Sequence, residues 1–304
     1  MLPLTSEVGR VESVAYSLDG TRLAVAGFKG VEVWSVPDYE RLLQWNSMMH
    51  RVHFTSNHKK LIGFFSACLW SFCEITGQAD IFYFRDNSFN LWLHSPHPTR
   101  NSAVVGNFQE LTRLSWTNLT EPRAITHERL WHVSFENVLL GSITHCVNPD
   151  RLLALARITS PEEGESQNQL LVLNPESGET ISRLKCGYSH VGHFTGSPDG
   201  RWVVGLLANT LLVWSGAYLH RPPRQYNNDS ARQFTGLAFH PSGRFLATAS
   251  NDKAIKLWDT ESWQVVRNFV WKAGRMRSVA FAPDGLTAAA GGEDGEFLVF
   301  DIDC

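Results

Sequence analysis

The sequence predicts an all-β protein, a seven-bladed β-propeller of four-stranded antiparallel blades, closed by the N-terminal strand pairing with the last blade. Three observations carry the prediction: a fixed repeat, an aromatic residue that returns at one position of it, and a last repeat that lacks one strand. Ala238-Phe-His-Pro-Ser-Gly243 lies over Ala280-Phe-Ala-Pro-Asp-Gly285, and Leu257-Trp-Asp259 over Val299-Phe-Asp301, an offset of 42 residues. That period belongs to a single propeller blade, a unit that buries its apolar faces only by stacking on its neighbours.

The first repeat sets the internal pattern. Val11–Gly20 reads as a short alternating strand ending in an Asp-Gly turn, Leu23–Gly27 as a second, Gly30–Trp34 as a third and Leu42–Trp45 as a fourth. Four short antiparallel strands per unit make a blade. In repeat two, Val52–Asn57, Lys60–Gly63 and Cys68–Trp70 keep the register. Repeat three is fainter, with Asn90–Leu93, Ala103–Gly106 and Arg113–Trp116 as its first three strands. Repeat four has His145–Asp150 and Arg151–Ala156, then a polar insertion, Ser160–Asn168, ahead of Leu170–Leu173. Its acidic run Glu162-Glu-Gly-Glu165 reads as a solvated loop. Repeat five is clear again in His193–Gly200, Trp202–Gly205 and Leu211–Trp214, and the stretch 233–301 holds repeats six and seven. The expected blades are 11–45, 50–85, 88–127, 141–185, 190–226, 233–270 and 275–304, with an N-terminal strand at 2–9, all in one domain, 1–304.

The third-strand position is Trp34, Trp70, Trp116, Leu173, Trp214, Trp258 and Phe300, aromatic in six of seven repeats. A flat ring there fills the wedge that radial stacking leaves between blades, so core packing is its expected role. Repeat seven reaches only its third strand before Cys304. An open sheet edge is a liability, and residues 2–9 are the natural candidates to cover it.

Composition narrows the function. Hydrophobic residues make up 43% of the 304-residue chain and charged ones 19%, the balance of a core-forming protein. With 27 basic against 30 acidic residues, the net charge of −3 carries no electrostatic footprint for nucleic acid or an anionic membrane. Five cysteines without a Cys-x-x-Cys pair read as free thiols rather than a disulfide framework or zinc site. The N-terminus lacks a basic start and an apolar run, and no stretch is long and apolar enough to span a membrane, so a cytoplasmic protein is expected. A monomer is the expected state.

Ser17-Leu-Asp-Gly20, Ser197-Pro-Asp-Gly200, Ala282-Pro-Asp-Gly285 and the single Trp258-Asp259 pair resemble the WD40 repeat family. The likeness is strong in residues 11–35, 193–215, 234–260 and 276–302 and fainter between them. Elsewhere the Trp-Asp pair is replaced by Trp-Ser, Trp-Thr or Phe-Asp. The resemblance implies a disc with a central channel, and a partner-holding face made by the loops between blades and between second and third strands. It also implies a buried chain of His, Ser or Thr, Asp and Trp in each blade. Thr248 or Ser250, Asp252 and Trp258 supply most of one, but the Gly-His expected before repeat six is absent. His50 and His190 stand where that histidine belongs in repeats two and five, without their turn aspartates.

Mapped on that face, Arg10, Glu12, His50, Arg51, His190, Gln233, Arg275 and Arg277 fall near the starts of inner strands, and Asn251 and Glu293 just ahead of turn aspartates. Arginine and histidine there suit acidic or phosphorylated peptides. Three His-x-x-His pairs, His50/His53, His94/His97 and His190/His193, raise a metal site. Residues three apart on a strand point to opposite faces, so a pair there does not chelate one ion, and no metal or other cofactor is expected. No nucleophile elbow, phosphate-cradling loop or His-Glu-x-x-His motif occurs, and no catalytic residue is assigned. The expected function is a non-catalytic scaffold holding protein or peptide partners. The alternative is a metal-dependent hydrolase or lactonase with its site in the central channel, resting on the 12 histidines.

Overall fold

The structure, a computed structural model, describes residues 2–55, 60–65, 68–73, 79–83, 93–96, 102–117, 126–160, 164–271 and 274–302. In chain order the strands are β1 (Leu2–Thr5), β2 (Val11–Tyr16), β3 (Arg22–Gly27), β4 (Val31–Ser35), β5 (Arg41–Trp45), β6 (Arg51–Phe54), β7 (Lys60–Phe65), β8 (Cys68–Cys73) and β9 (Ala79–Tyr83). They continue as β10 (Leu93–Pro96), β11 (Ser102–Gly106), β12 (Glu110–Thr117), β13 (Thr126–Ser134), β14 (Val138–Val147), β15 (Asp150–Thr159), β16 (Ser166–Leu173) and β17 (Thr180–Lys185). The remainder are β18 (Phe194–Gly196), β19 (Trp202–Leu207), β20 (Thr210–Ser215), β21 (Arg224–Asn227), β22 (Phe234–Phe239), β23 (Phe245–Ser250), β24 (Ala254–Asp259), β25 (Gln264–Val270), β26 (Met276–Phe281), β27 (Thr287–Gly292) and β28 (Glu296–Asp301). Six sheets take four consecutive strands each, and the seventh has the order β1-β28-β27-β26. Contacts group the chain into two compact units, Met1–Tyr83 with Leu119–Arg123 and Asn228–Cys304, and Phe84–Asn118 with Ala124–Asn227.

Local chemistry explains the repeated turn between first and second strands. Gly20, Gly200, Gly243 and Gly285 all have φ between +73° and +75°, a left-handed conformation that glycine adopts without a Cβ penalty. Ser17 Oγ donates to Asp19 Oδ1 at 2.6 Å and Ser197 Oγ to Asp199 Oδ1 at 2.7 Å, so each aspartate pins the turn that its glycine permits. The second strands that follow are runs of small apolar residues, such as Leu23–Ala26 and Ala288–Ala290, buried on both faces.

The seventh sheet is completed by the N-terminus. Leu2, Pro3, Leu4 and Thr5 pair antiparallel with Val299, Leu298, Phe297 and Glu296. The strand is shorter than the expected 2–9: it ends at Thr5, and Ser6 turns away with its backbone N–H and hydroxyl both donating to Gly295 O.

Several first strands carry a β-bulge at their start, at Val11/Ser13, Phe234/Gly236 and Met276/Ser278 in the first unit and Leu140/Ser142 in the second. A bulge leaves one residue outside the ladder and re-aims its neighbours. Here the re-aimed hydroxyls join adjacent sheets. In the first unit Val14 N donates to Ser278 Oγ (3.1 Å), Val52 N to Ser13 Oγ (3.3 Å), and Thr235 Oγ1 to Met276 O (2.6 Å). In the second unit Ser142 Oγ donates to Val191 O (2.8 Å) and accepts from Val191 N (3.0 Å).

Aromatic packing fills the remaining space. Trp34 meets Phe297 edge-on with centroids 5.1 Å apart, joining the first and seventh sheets. Phe300 packs against Phe269 of the sixth sheet and Trp271 just beyond its last strand, and Trp214 lies among Cys146, Leu153 and Leu155 of the fourth. The side chains of Trp70 and Trp116 lie outside the described residues. Where repeat four has Leu173, Trp131 from the preceding sheet supplies the ring: both belong to one buried cluster, and Trp131 Nε1 donates to Pro175 O at 3.0 Å. A Cβ on Gly178 would lie 2.6 Å from that ring, so the turn at 178 makes room for it.

Repeats three and four depart from the expected boundaries. The expected start at Asn90 lies outside the described residues, which resume at Leu93, and the last strand of the third sheet runs on to Ser134 rather than stopping near 127. Part of the expected insertion is ladder: Ser166, Gln167 and Asn168 pair with Thr159, Ile158 and Arg157, leaving a turn at 160–165 of which 161–163 are not described. The fourth blade, expected from 141 with His145–Asp150 as its first strand, starts earlier, its first strand running over Val138–Val147 and Asp150 opening the second. Polar side chains there hid a hairpin extension because an exposed strand end needs no apolar alternation.

Two stability predictions follow from these joints. Removing residues 1–5 uncovers the β28 edge and should lower the melting temperature by about 5 °C or more, read by circular dichroism. Ser142→Ala leaves the Val191 N–H and C=O without their partner and should cost about 1–3 kcal/mol in a urea titration, with an unchanged m-value.

Candidate functional site

The first unit brings together most of the residues singled out from the sequence. Arg10, His50, Gln233 and Arg275 each stand one residue before a first strand, and Glu12, Arg51 and Arg277 lie at the beginning of one. Backbone bonds tie these positions to the turns between second and third strands: Asn251 N donates to Gln233 O and Glu293 N to Arg275 O, both at 2.9 Å. The same bond recurs from Phe28 N to Arg10 O at 3.3 Å. Strand starts and neighbouring turns are therefore tied to each other through the backbone.

Glu12 and Arg277 are the residues their bulges expel from the ladder, which directs them into a shared charged cluster. Arg10 pairs with Glu12 and lies over the Phe28 ring, 4.7 Å from its centroid. Arg277 Nη2 is 2.9 Å from Glu293 Oε1, and Arg275 Nε is 3.6 Å from Oε2 of the same carboxylate. The Arg277 hydrogen bond, with the charges of Arg277, Arg275 and Arg10, holds the Glu293 carboxyl below its ordinary range. Three guanidiniums thus face two carboxylates. Arg275, with a side chain 58% exposed, is the least engaged of the three.

The other candidates lie apart from this cluster in character. Gln233 is exposed and Asn251 half-buried. His50 is exposed, its N–H bonded to Phe64 O. Burial pushes the Arg51 guanidinium down to about 10, and burial together with the Arg51 charge pushes His53 down to about 3. His53 sits edge-on to Phe64. In the second unit His190 is exposed, with Nδ1 2.8 Å from Gly141 O. His50 and His190 are therefore surface histidines rather than members of buried chains. Among the described residues no three His, Cys, Asp or Glu side chains gather as a metal site. His97 lies outside those residues, as does the His94 side chain.

The polar chain expected in repeat six is split in two. Trp258 Nε1 donates to Thr248 Oγ1 at 3.0 Å. Asp252 is instead bonded by Ser250, Ser230 and Asn228, and Asn228 also accepts from the buried Lys256 Nζ at 2.7 Å. Burial alone would raise the Asp252 carboxyl, yet the hydrogen bonds from Ser230, Ser250 and Asn228 hold it below its ordinary value. Asn228 does for this sheet what the missing histidine would do elsewhere. Asp259 caps its own turn, accepting from the N–H groups of Glu261 and Ser262 and pairing with Arg244; the Ser262 N–H leads in holding its carboxyl down to about 2.

Sequence reasoning missed Phe28 and Thr235. Thr235 occupies the bulge position that Glu12 and Arg277 share, and that shared position was the available signal.

Comparison with known proteins places this geometry. The model of the WD domain, G-beta repeat, matches residues 224–259 and 263–301. Each match starts in or just ahead of the outer strand of one sheet and ends with the third strand of the next, so the sequence repeat straddles two sheets. Pre-mRNA-processing factor 19 homolog 2 of Arabidopsis thaliana is 33% identical over 72 residues, 23% of this chain and 14% of that protein. Protein HIR1 of Mycosarcoma maydis is 30% identical over 139 residues, 43% of this chain and 13% of that one. The chain thus spans only a small part of the length of these relatives. Among solved structures, the β-propeller domain of Cps50 (Swd1) from Myceliophteria thermophila aligns with a TM-score of 0.75 at 14% identity, covering 98% of each chain. At that identity the likeness establishes the fold, a β-propeller of four-stranded antiparallel blades.

The His53 environment makes a pH prediction. Its folded pKa, about 3, lies below its ordinary value near 6.5, so the unfolded chain binds the extra proton between these limits. Stability is fully present above about 6.5 and declines as pH falls toward 3. His53→Phe should flatten the melting temperature against pH in that window, with the wild-type curve as reference.

Proposed function

Residues 224–259 and 263–301 match the WD domain, G-beta repeat, and from that premise we propose that the chain is a WD40-repeat protein that acts as a non-catalytic scaffold, a single propeller domain over residues 1–304 that holds protein or peptide partners. Relatives built on such repeats support a protein-interaction role at the coarse level. The observation that carries the finer reading is the cluster of Arg10, Arg275 and Arg277 around Glu12 and Glu293. One positive charge exceeds the internal pairs, and Arg275 keeps donor capacity beyond its long contact with Glu293. A carboxylate or phosphate on a partner peptide completes that arrangement, because guanidinium donors match both groups in a forked geometry. His50, Gln233 and Asn251 flank the same strand starts and turns and provide hydrogen-bonding variety around it.

The cytoplasm is the proposed location and a monomer the proposed state. Cys146 and Cys186 are free thiols, which suits a reducing compartment, and burial pushes the Cys146 thiol up to about 11. Among the described residues no helix is long and apolar enough to cross a membrane.

Affinity capture from native cells tests the reading. Arg275→Glu together with Arg277→Glu reverses the excess charge and should strip acidic or phosphorylated partners from the captured set. An unchanged set, with both proteins folded by melting temperature, would mean that partners are held elsewhere.

A further inference from the structure

The second unit carries a surface feature that the charged cluster does not explain. A groove of about 360 Å³ is lined by Phe108, Leu139, Gly141, Arg157, Ser189 and His190, among others. Its walls come from three consecutive sheets: Phe108 from the turn between β11 and β12, Leu139 and Arg157 from β14 and β15, and His190 from the connection leading to β18. It exists because the fourth sheet is extended. β14 and β15 run for ten residues each, against six in β2 and β3, and the added pairs Val138↔Ile158 and Leu139↔Arg157 lie beyond the bulge at Leu140/Ser142. The floor is held closely: Leu140 N donates to Phe108 O at 2.6 Å, and a Cβ on Gly141 would lie 1.9 Å from Ser189 O.

The lining has a definite chemical character. Phe108 is 48% exposed and Leu139 50%, so two large apolar side chains face solvent side by side, a pattern that marks contact surfaces. Arg157, the cross-strand neighbour of Leu139, is exposed, and its guanidinium makes no side-chain hydrogen bond or ion pair among the described residues. This contrasts with Arg10 and Arg277, whose charges are met within the chain. On His190 the bond to Gly141 O requires a proton on Nδ1, since a carbonyl only accepts, and leaves Nε2 as the polar atom available to a ligand.

We propose that this groove docks a peptide segment in which an aspartate or glutamate sits beside a large apolar side chain. The carboxylate takes the unpaired Arg157 guanidinium, and the apolar side chain covers Phe108 and Leu139. A free anion does not use the apolar floor, and an apolar surface without charge leaves Arg157 unmatched, so both features select the same occupant. The proposal rests on the scaffold reading but places a docking site on different residues from the charged cluster.

The test uses the full chain and short synthetic peptides carrying one leucine or phenylalanine flanked by acidic residues. Matched sets replace the acids by lysine or the apolar residue by alanine. Wild type should prefer the acidic–apolar set. Arg157→Glu should weaken that binding at least about tenfold and turn the preference toward the lysine set. Leu139→Ser should weaken binding while keeping the preference for acid, and Phe108→Ser is the independent variant for the same floor. Arg275→Glu should change nothing. The proposal is overturned if wild type shows no preference for the acidic–apolar set, if Arg157→Glu binds it as wild type does, or if Arg275→Glu abolishes binding. Cellular partners that are captured but indifferent to Arg157→Glu and to these peptides would remove the groove and leave the scaffold reading standing. Capture of no partner at all would remove both.

Discussion

The pairing of β1 with β28 is the contact on which the rest of the first unit depends. It joins residues 2–5 to 296–299 and is reinforced by Ser6, whose hydroxyl reaches Gly295 O across 289 positions of sequence. Closing so long a loop costs only modestly more than closing a short one, because the entropic penalty grows with the logarithm of length. The gain is a sheet with no bare edge beside its third strand. The N-terminal segment is then sewn to the first sheet as well. Glu7 N donates to the fully buried Glu32 carboxylate, which also accepts from Trp34 Nε1 and Arg41, while Leu4 packs against the cluster holding Trp34 and Phe297. A four-residue strand thereby anchors a buried charge, an inter-sheet aromatic pair and a sheet edge together.

The same economy recurs where first strands meet. A bulge near the strand start turns Ser13, Ser142 or Ser278 toward the next strand, where its hydroxyl satisfies a backbone group that no ladder reaches. These buried backbone groups would otherwise go unpaired at a joint between sheets. The bulge that makes the joint also expels Glu12 and Arg277 from the ladder. Structural necessity and the display of charged side chains are therefore products of one backbone irregularity.

Charge is handled differently in the two units. In the first, ionic groups are compensated within the chain: Glu32 by Arg41 and Trp34, Lys256 by Asn228 and Asp229, and Arg277 by Glu293. Buried charges demand such partners, because desolvation is costly unless hydrogen bonds replace water. In the second unit the extended hairpin leaves Arg157 beside exposed Leu139, with no carboxylate paired to it among the described residues. The repeats closest to the sequence pattern are thus the self-contained ones, and the repeat that departs from it carries the open surface.

Much of the fold was legible in the sequence because its signals are local. Glycines at the turns with φ near +73°, aspartates that pin them, and apolar second strands identify each blade from a few consecutive residues. The faint third repeat was misplaced at its C-terminal end, since few of its residues carry a turn or strand signature. The candidate site was legible only as positions. The sequence located Arg10, Arg275, Arg277 and Glu293 at strand starts and turns, but could not tell that Arg275 and Arg277 share the one Glu293 carboxylate. By itself, then, the sequence determined the repeat, its strands and the need for a borrowed fourth strand. Only the tertiary structure decided which side chains meet: Trp131 in place of a ring at Leu173, Asn228 in place of a histidine, and Leu139 beside an unpaired Arg157. Those outcomes depend on bulges and on register between strands far apart in sequence, which no local pattern of residues encodes.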